Sequence, residues 1–184
     1  MAHLNVRSLR NKVDELECLQ LLCKFNIIAI TESHLDNSIS DSEISIDGMK
    51  ILRLDRTGRK GGGYVLYYAD HLKALQRKDY LYSKKSLWLH VRFPATSVLF
   101  AVMYRPPDDN NFFNVVNTIL EKAWLKSSNI FLLGDLNCDY SDCRNTNRAK
   151  LQCIFNSVNM HNVITNPTRI TMESSTLIDL IVTT

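Results

Sequence analysis

The stretch Asn129-Ile-Phe-Leu-Leu-Gly-Asp-Leu-Asn137 combines a short apolar run with polar residues at its end. Its apolar run from Ile130 to Leu133, closed by Gly134, is typical of a short strand buried on both faces. Asp135 and Asn137 follow directly, and residues two apart in extended backbone point to the same side. Since open α/β sheets carry their chemistry at strand ends, these two side chains are candidate site residues. The alternative is a plain turn, because Gly, Asp and Asn are common turn residues.

Size and composition indicate one ordinary globular domain. The chain has 184 residues, of which 45% are hydrophobic and 22% charged, enough to bury a core. No apolar run approaches the ~18 residues that a membrane span requires, and the N-terminus is no signal peptide. The five cysteines are odd in number and lack a Cys-x-x-Cys pair, which favours reduced thiols in an intracellular protein over disulfides or structural zinc. The net charge of +3 neither requires nor opposes a nucleic-acid partner.

The first part of the chain predicts a strand, a helix and a second strand. The segment from Leu4 to Val6 is expected to end a strand. Ser8 is a candidate cap for a helix that runs to about Phe25. The apolar face of that helix is predicted from the helical spacing of Leu9, Val13, Leu16, Leu19 and Cys23. A buried strand from Ile27 to Ile30 then leads directly to Glu32, which repeats the pattern at Asp135. His34 is predicted to be a surface or supporting histidine.

A basic loop rich in glycine follows a short strand predicted from Lys50 to Leu54. Its cations are Arg53, Arg56, Arg59 and Lys60. Such a loop can track a phosphate backbone, and the alternative is a solvated loop. It lacks the Gly-Lys-Ser/Thr sequence of a P-loop.

The middle and end of the chain predict further strands and helices. Strands over 64–68, 87–93 and 98–104 follow one another without helices, which favours antiparallel pairs. Tyr104 precedes a rigid Pro-containing turn, where it is either a phosphate contact or an ordinary rim tyrosine. Helices are predicted over 111–125, capped by Asp108 and Asp109, and over 149–158. In the last strand, over 177–182, Asp179 interrupts an apolar run and therefore needs a partner. This order of elements predicts a two-sheet α/β sandwich.

Seven short stretches together carry a family resemblance: Asn5-Val6-Arg7-Ser8-Leu9, Ile30-Thr31-Glu32-Ser33-His34-Leu35, Arg59-Lys60-Gly61-Gly62-Gly63, Tyr104-Arg105-Pro106-Pro107, Gly134-Asp135-Leu136-Asn137, Asn166-Pro167-Thr168-Arg169 and Ser175-Thr176-Leu177-Ile178-Asp179. In them the chain resembles the endonuclease–exonuclease–phosphatase superfamily, and within it the endonuclease domain of non-LTR (LINE-type) retrotransposons. The resemblance spans residues 1–184 as a single domain. It implies a deoxyribonuclease I-like four-layer sandwich of two mixed β-sheets flanked by helices.

The resemblance also implies an activity, which is the Mg²⁺- or Mn²⁺-dependent hydrolysis of DNA phosphodiester bonds. The nick would leave a 3′ hydroxyl that primes reverse transcription. We therefore expect a monomer that acts on DNA in the nucleus and does not associate with a membrane. We also expect a reverse transcriptase to follow this domain in the full gene.

Five residues would carry this chemistry by the family pattern. Glu32 and Asn5 would hold the metal ion, which prefers oxygen ligands. Asp135 would orient and deprotonate the attacking water, and Asn137 would hold that water or a phosphate oxygen. Tyr104 would contact the phosphate. The predicted DNA contacts are Arg53, Arg56, Arg59, Lys60 and Arg105.

Asp179 would pair with a catalytic histidine and orient its ring, as in a catalytic triad. In the family that histidine lies in a Ser-Asp-His motif beyond this point, and the sequence contains no such motif. Its five histidines lie in other contexts, and we therefore expect the final strands of the sandwich to be absent. Arg7 also stands where cellular apurinic endonucleases often carry an acidic residue.

Two other functions remain open at this point. One is a catalytically inactive fragment that at most binds DNA. The other is a phosphatase-type member of the same superfamily, since relatives hydrolyse inositol phosphates or sphingolipids. The Arg-Pro-Pro and Pro-Thr-Arg stretches favour the retrotransposon branch.

The basic loop makes a prediction of its own. Neutralising Arg56 and Arg59 should weaken DNA binding and flatten its dependence on salt, because fewer counterions would be released from the phosphates. Binding titrations over a range of salt concentrations measure this slope. An unchanged slope would identify the loop as solvated surface.

Overall fold

The structure is a computed structural model that describes residues 1–55, 62–80 and 86–184. Its strands, in chain order, are β1 (Ala2–Asn5), β2 (Ile27–Thr31), β3 (Met49–Leu54), β4 (Tyr64–Ala69), β5 (Lys73–Gln76), β6 (Ser86–Arg92), β7 (Ser97–Tyr104), β8 (Ile130–Asp135), β9 (His161–Asn162), β10 (Arg169–Ile170), β11 (Ser175–Thr176) and β12 (Asp179–Thr183). Its α-helices are α1 (Val13–Cys23), α2 (Phe112–Trp124) and α3 (Thr146–Ser157).

The strands form two mixed sheets and one small hairpin. The first sheet has the order β1-β2-β4-β3, and the second has the order β5-β6-β7-β8-β12-β9. The pairs β1·β2 and β7·β8 are parallel. Of the consecutive strands predicted to pair, β6 and β7 are antiparallel neighbours as expected, but the prediction is wrong for β4 and β6, which lie in different sheets. The strands β10 and β11 pair with each other. The predicted fold class, α/β with two mixed sheets flanked by helices, is confirmed.

A core of apolar side chains joins the two sheets. Ile27 and Ala29 from β2 meet Leu87, Leu89 and Leu133 from the second sheet, and all of them are buried. Strand alternation explains the composition of this layer, because every second residue of β6 points inward. The intervening Trp88 lies in the cluster on the opposite face of the sheet.

Helices and one long connection cover the outer faces of the sheets. The helices α2 and α3 pack on the second sheet through a cluster that includes Phe112, Ile119 and Phe155. On the first sheet, α1 contributes Leu16, and the connection before β3 contributes Ile44. The result is four layers, with chain on both outer faces of the paired sheets. No helix in the described ranges is long and apolar enough to cross a membrane.

The first helix begins later than the sequence predicts. It starts at Val13 rather than near Leu9, and Lys12 occupies the N-cap position. Ser8 is no cap, because its φ of 101° places it in a left-handed turn. Leu9 is fully buried outside the helix, and Cys23, predicted on the apolar face, is exposed. Leu9 is buried because of the turn before the helix, and its position in the sequence happens to match the spacing of the apolar residues within α1. The predicted helix therefore began too early.

The second helix is also capped differently. It begins at Phe112 with Asn111 at the N-cap, so Asp108 and Asp109 lie before the helix rather than at its cap. The third helix starts at Thr146, earlier than predicted, because the Asn145 side chain accepts the backbone N–H groups of the first turn.

Gly134 allows β7 and β8 to approach each other closely. A Cβ atom at this position would lie 1.9 Å from the Met103 carbonyl oxygen. Because the obstacle is backbone in the middle of the sheet, it cannot move aside as a side chain could. A glycine is therefore required immediately before Asp135.

We expect Gly134→Ala to lower the free energy of unfolding by about 3 kcal/mol or more, at the upper end for overpacked cores. For a chain of this size that corresponds to a fall in Tm of roughly 6–12 °C. Thermal unfolding followed by circular dichroism measures it. Gly48→Ala is the matched control, since a Cβ atom there meets nothing within 4 Å and adds only the cost of its positive φ, about 1 kcal/mol. Equal losses in the two variants would contradict the close approach.

Candidate active site

Polar side chains from both sheets converge at one end of the sandwich. Asn5 is the last residue of β1, and Glu32 follows the last residue of β2. Asp135 is the last residue of β8. In the second sheet Asp135 lies in register with Tyr104 of β7 on one side and Asp179 of β12 on the other. Parallel pairing of β1 with β2 and of β7 with β8 brings these strand ends to the same edge.

The Asn5 carboxamide joins the two predicted acidic residues. Its Nδ2 atom donates to Glu32 Oε1 at 3.1 Å and to Asp135 Oδ2 at 2.8 Å. The bond to Asp135 crosses from the first sheet to the second, whereas the bond to Glu32 joins the neighbouring strand ends of β1 and β2. One neutral donor thus holds two carboxylates close together, which would otherwise repel each other.

Asp135 is buried but keeps several hydrogen-bond partners. Its residue is only 3% exposed, and its Oδ1 atom accepts the backbone N–H of Asn137 at 2.9 Å. Burial raises the pKa of Asp135, while the hydrogen bonds from Asn5 and the Asn137 backbone oppose part of that rise. A buried carboxylate of raised proton affinity is suited to accept a proton.

Asn137 and Tyr104 lie beside Asp135. Asn137 has a φ of 44°, a left-handed conformation that asparagine tolerates well, and its Nδ2 atom donates to the Arg105 carbonyl at 2.9 Å. Burial, followed by the nearby Glu32 and Asp135 carboxylates, raises the pKa of Tyr104. Tyr104 therefore stays protonated at neutral pH and can donate a hydrogen bond.

Glu32 sits in a strained turn. Its φ of 52° is unusual for a glutamate and costs about 1–3 kcal/mol. The turn is held by backbone bonds on either side, because Ser8 N–H donates to the Glu32 carbonyl and Ser33 N–H to the Gly63 carbonyl. His34 Nε2, predicted as a supporting histidine, lies 3.5 Å from Glu32 Oε2.

Asp179 has a partner that sequence reasoning missed. It was placed in the middle of the last strand, but it begins β12. Its Oδ1 atom lies 3.3 Å from His3 Nδ1, although the alignment falls short of hydrogen-bond geometry. Burial acts to raise the pKa of Asp179, but the interactions with His3 and Thr168 hold it below the usual value. His3 lies two residues before Asn5, and alternation along a strand therefore predicts that both side chains point to the same side of β1. This was the signal in the sequence that could have identified His3.

The residues at this end fit a hard divalent cation. The Asn5 Oδ1 atom is buried without a hydrogen-bond partner, and it lies on the side chain that contacts the Glu32 and Asp135 carboxylates. One or two carboxylates and an amide oxygen are sufficient protein ligands for Mg²⁺, which keeps several waters. Within residues 1–55, 62–80 and 86–184 no three His, Cys, Asp or Glu residues form a metal-binding group.

The prediction that Arg105 contacts DNA is wrong. Arg105 is only 1% exposed, and its guanidinium donates to the Asn137 carbonyl at 3.1 Å and the Pro107 carbonyl at 2.7 Å. It also lies over the Phe113 ring, 5.0 Å from the centroid. Arg105 therefore supports the loop that carries Asn137.

The other predicted DNA contacts divide into two groups. Arg53 is largely occupied by the protein, since its guanidinium bonds to Asp55, Asp41 and the Ile39 carbonyl. Its primary role in this structure is to hold the connection between β2 and β3 together. Arg56, Arg59 and Lys60 lie outside the described residues.

Two arginines that were not predicted as DNA contacts lie at the rim of the site. Arg7 is exposed on the turn that follows Asn5. Arg169 is exposed at the start of β10, and its charge acts on Asp179. These positions give the rim positive charge beside its carboxylates.

Comparisons with known proteins agree on the fold. No protein-family model and no curated protein sequence matches the chain. Three solved structures that are similar to it are two nucleases and a phosphatase. The endonuclease domain of TRAS1, a telomere-specific non-LTR retrotransposon, has a TM-score of 0.73 and 17% identity over 98% of this chain and 82% of that domain. The AP endonuclease LMAP from Leishmania major has a TM-score of 0.81 and 12% identity over 99% and 77%.

A mannosyl-6-phosphatase from Bacteroides thetaiotaomicron has a TM-score of 0.67 and 12% identity over 99% of this chain and 83% of its own. These similar structures have endonuclease/exonuclease/phosphatase, deoxyribonuclease I-like folds. The chain therefore has the deoxyribonuclease I-like fold, in which two mixed sheets are flanked by helices.

Proposed function

We propose that this chain is a metal-dependent DNA endonuclease that nicks one strand of its target. The observation that carries the proposal is the convergence of Asn5, Glu32 and Asp135, which hydrogen bonds join across two sheets. Hydrolysis of a phosphodiester requires a base for water, donors for the phosphate oxygens and a cation for its charge. The residues at this end of the sandwich can supply the base and the hydrogen-bond donors, and they can bind the cation.

Asp135 is the proposed base in this site. It would accept a proton from water as the water oxygen bonds to phosphorus, and the bond between phosphorus and the 3′ oxygen would break. The leaving oxygen then takes up a proton and becomes a 3′ hydroxyl. The Asn137 N–H already donates to Asp135 Oδ1 at 2.9 Å, which fixes the carboxylate in the plane needed to accept that proton.

Glu32 and Asn5 are the proposed ligands of the metal ion. A bound Mg²⁺ or Mn²⁺ would neutralise charge on the phosphate in the transition state. The Tyr104 hydroxyl lies near Glu32 and Asp135, and the protonated side chain would donate a hydrogen bond to the same phosphate. The strained turn at Glu32 supports this role, because such strain concentrates at functional sites.

Two observations favour DNA as the substrate. Arg7 is exposed two residues after Asn5, and Arg169 is exposed and its charge acts on Asp179. Cations near a hydrolytic site suit a polyanion. The TRAS1 domain, named as the endonuclease of a retrotransposon, shares the fold over 98% of this chain. We propose the same role here, in which the nick primes reverse transcription by a polymerase encoded downstream.

A phosphatase is the second candidate, favoured by the similarity to a mannosyl-6-phosphatase. A phosphatase would release inorganic phosphate from a sugar phosphate and leave plasmid DNA intact. Parallel assays with supercoiled plasmid and with mannose 6-phosphate separate the two activities.

Asp135→Ala should abolish the Mg²⁺-dependent nicking of supercoiled plasmid, because loss of a catalytic base typically lowers a rate by ~10²–10⁴-fold. Conversion of supercoiled to open-circular DNA on an agarose gel measures nicking. Asp47→Ala, which removes an exposed carboxylate, is the matched control and should nick like the wild type. Normal nicking by Asp135→Ala would rule out the assigned base.

Glu32→Gln tests the metal assignment separately. If Glu32 is a ligand, the variant should need about 10-fold or more Mg²⁺ to reach half-maximal nicking, because the site loses one charged oxygen. A Mg²⁺ titration at saturating plasmid measures the shift, with Glu15→Gln on the exposed side of α1 as control. An unchanged Mg²⁺ requirement would remove Glu32 from the metal site.

A further inference from the structure

A buried histidine lies beneath the proposed site, and the proposed function does not use it. The His3 side chain is only 2% exposed. Its Nε2 atom lies 3.1 Å from Thr31 Oγ1, and its Nδ1 atom lies 3.3 Å from Asp179 Oδ1. His3 therefore connects β2 of the first sheet with β12 of the second, through its own strand β1.

The register of the second sheet explains why Asp179 needs such a partner. Asp179 and Asp135 lie directly opposite each other in the antiparallel pair β8·β12. Carboxylates in that arrangement repel each other, or share a proton when no other partner is available. A shared proton would occupy the oxygen atoms that Asp135 needs for water.

His3 contacts Asp179 from the neighbouring sheet. Neither His3 Nδ1 nor Asp179 Oδ1 has a hydrogen-bond partner within the described part of the chain, and the two atoms lie 3.3 Å apart. Asn5 similarly holds Asp135 at 2.8 Å. Since His3 and Asn5 lie two residues apart on β1, they point to the same side of the strand. One strand thus presents a partner to each of the two opposed carboxylates.

We propose that His3 is a positioning residue of this site, which holds Asp179 away from Asp135 and leaves Asp135 free to face Asn5 and the attacking water. This inference rests on the proposed endonuclease function and deepens it. His3 itself does not reach the substrate, because its side chain is buried. The competing explanation is that His3 only fills space between the sheets.

Two substitutions separate positioning from packing. His3→Phe keeps the volume of the ring but removes both nitrogen atoms, whereas His3→Asn is smaller but can place an amide N–H near the position of Nδ1. If His3 positions Asp179, His3→Phe should lower kcat for plasmid nicking by about 10–100-fold, the usual effect of losing an outer partner of a metal site. KM for DNA should stay unchanged, and His3→Asn should recover part of kcat.

A double variant tests whether His3 and Asp179 act as one unit. The combination of His3→Phe with Asp179→Asn should nick no more slowly than Asp179→Asn alone, because the second change removes a contact that is already lost. All rates are expressed per folded molecule, measured by circular dichroism. His71→Phe, at an exposed histidine, should leave kcat unchanged.

The outcomes distinguish this inference from the proposed function. Full kcat in His3→Phe would overturn the positioning role while the endonuclease assignment stands. A His3→Asn variant slower than His3→Phe would overturn it too, because ring volume rather than an N–H group would then set the rate. If the folded wild type does not nick DNA at all, the proposed function fails. The ¹⁵N resonances of the His3 ring then decide whether the pair exists. Asp179→Asn should shift them and Asp47→Asn should not, and unshifted resonances would overturn the pair itself.

Discussion

The site depends on one side chain, the Asn5 carboxamide, which donates to Glu32 Oε1 and to Asp135 Oδ2. Glu32 belongs to the first sheet and Asp135 to the second, so these bonds join the two halves of the sandwich where the chemistry is proposed. An amide cannot lose a proton at neutral pH, and its donor therefore offsets the repulsion between the carboxylates at any pH the protein meets. Its free Oδ1 atom remains available to a cation.

The apolar core makes this junction possible. Residues such as Ala29 and Leu133 pack between the sheets and hold their strand ends at a constant separation. Gly134 adds a second constraint, because only a residue without a Cβ atom lets β8 lie so close to Met103. Rigid strands then fix the position of Asp135 more tightly than a loop could, which suits the proposed role of Asp135 as a base.

Buried groups stabilise the parts of the site that lie outside regular strands. Glu32 adopts a positive φ and is held by backbone bonds to its neighbours. Arg105 is buried under the loop that carries Asn137 and donates to the Leu136 and Asn137 carbonyl groups. His3 stands beneath Asp179 in a similar position. Buried polar groups lower stability unless they have partners, and the partners that Asp135 and Arg105 do have come from distant parts of the chain.

The longer strands and several residues at their ends could be predicted from the sequence, but the short strands β5, β9, β10 and β11 could not. Apolar runs that end in polar residues indicate where a buried strand stops. From this pattern Glu32, Tyr104 and Asp135 were correctly predicted at strand ends. Only the tertiary structure decided that Arg105 is buried and that His3 meets Asp179. The reason is physical: periodicity depends on neighbours a few residues apart, whereas these contacts depend on strand register and on how two sheets pack against each other.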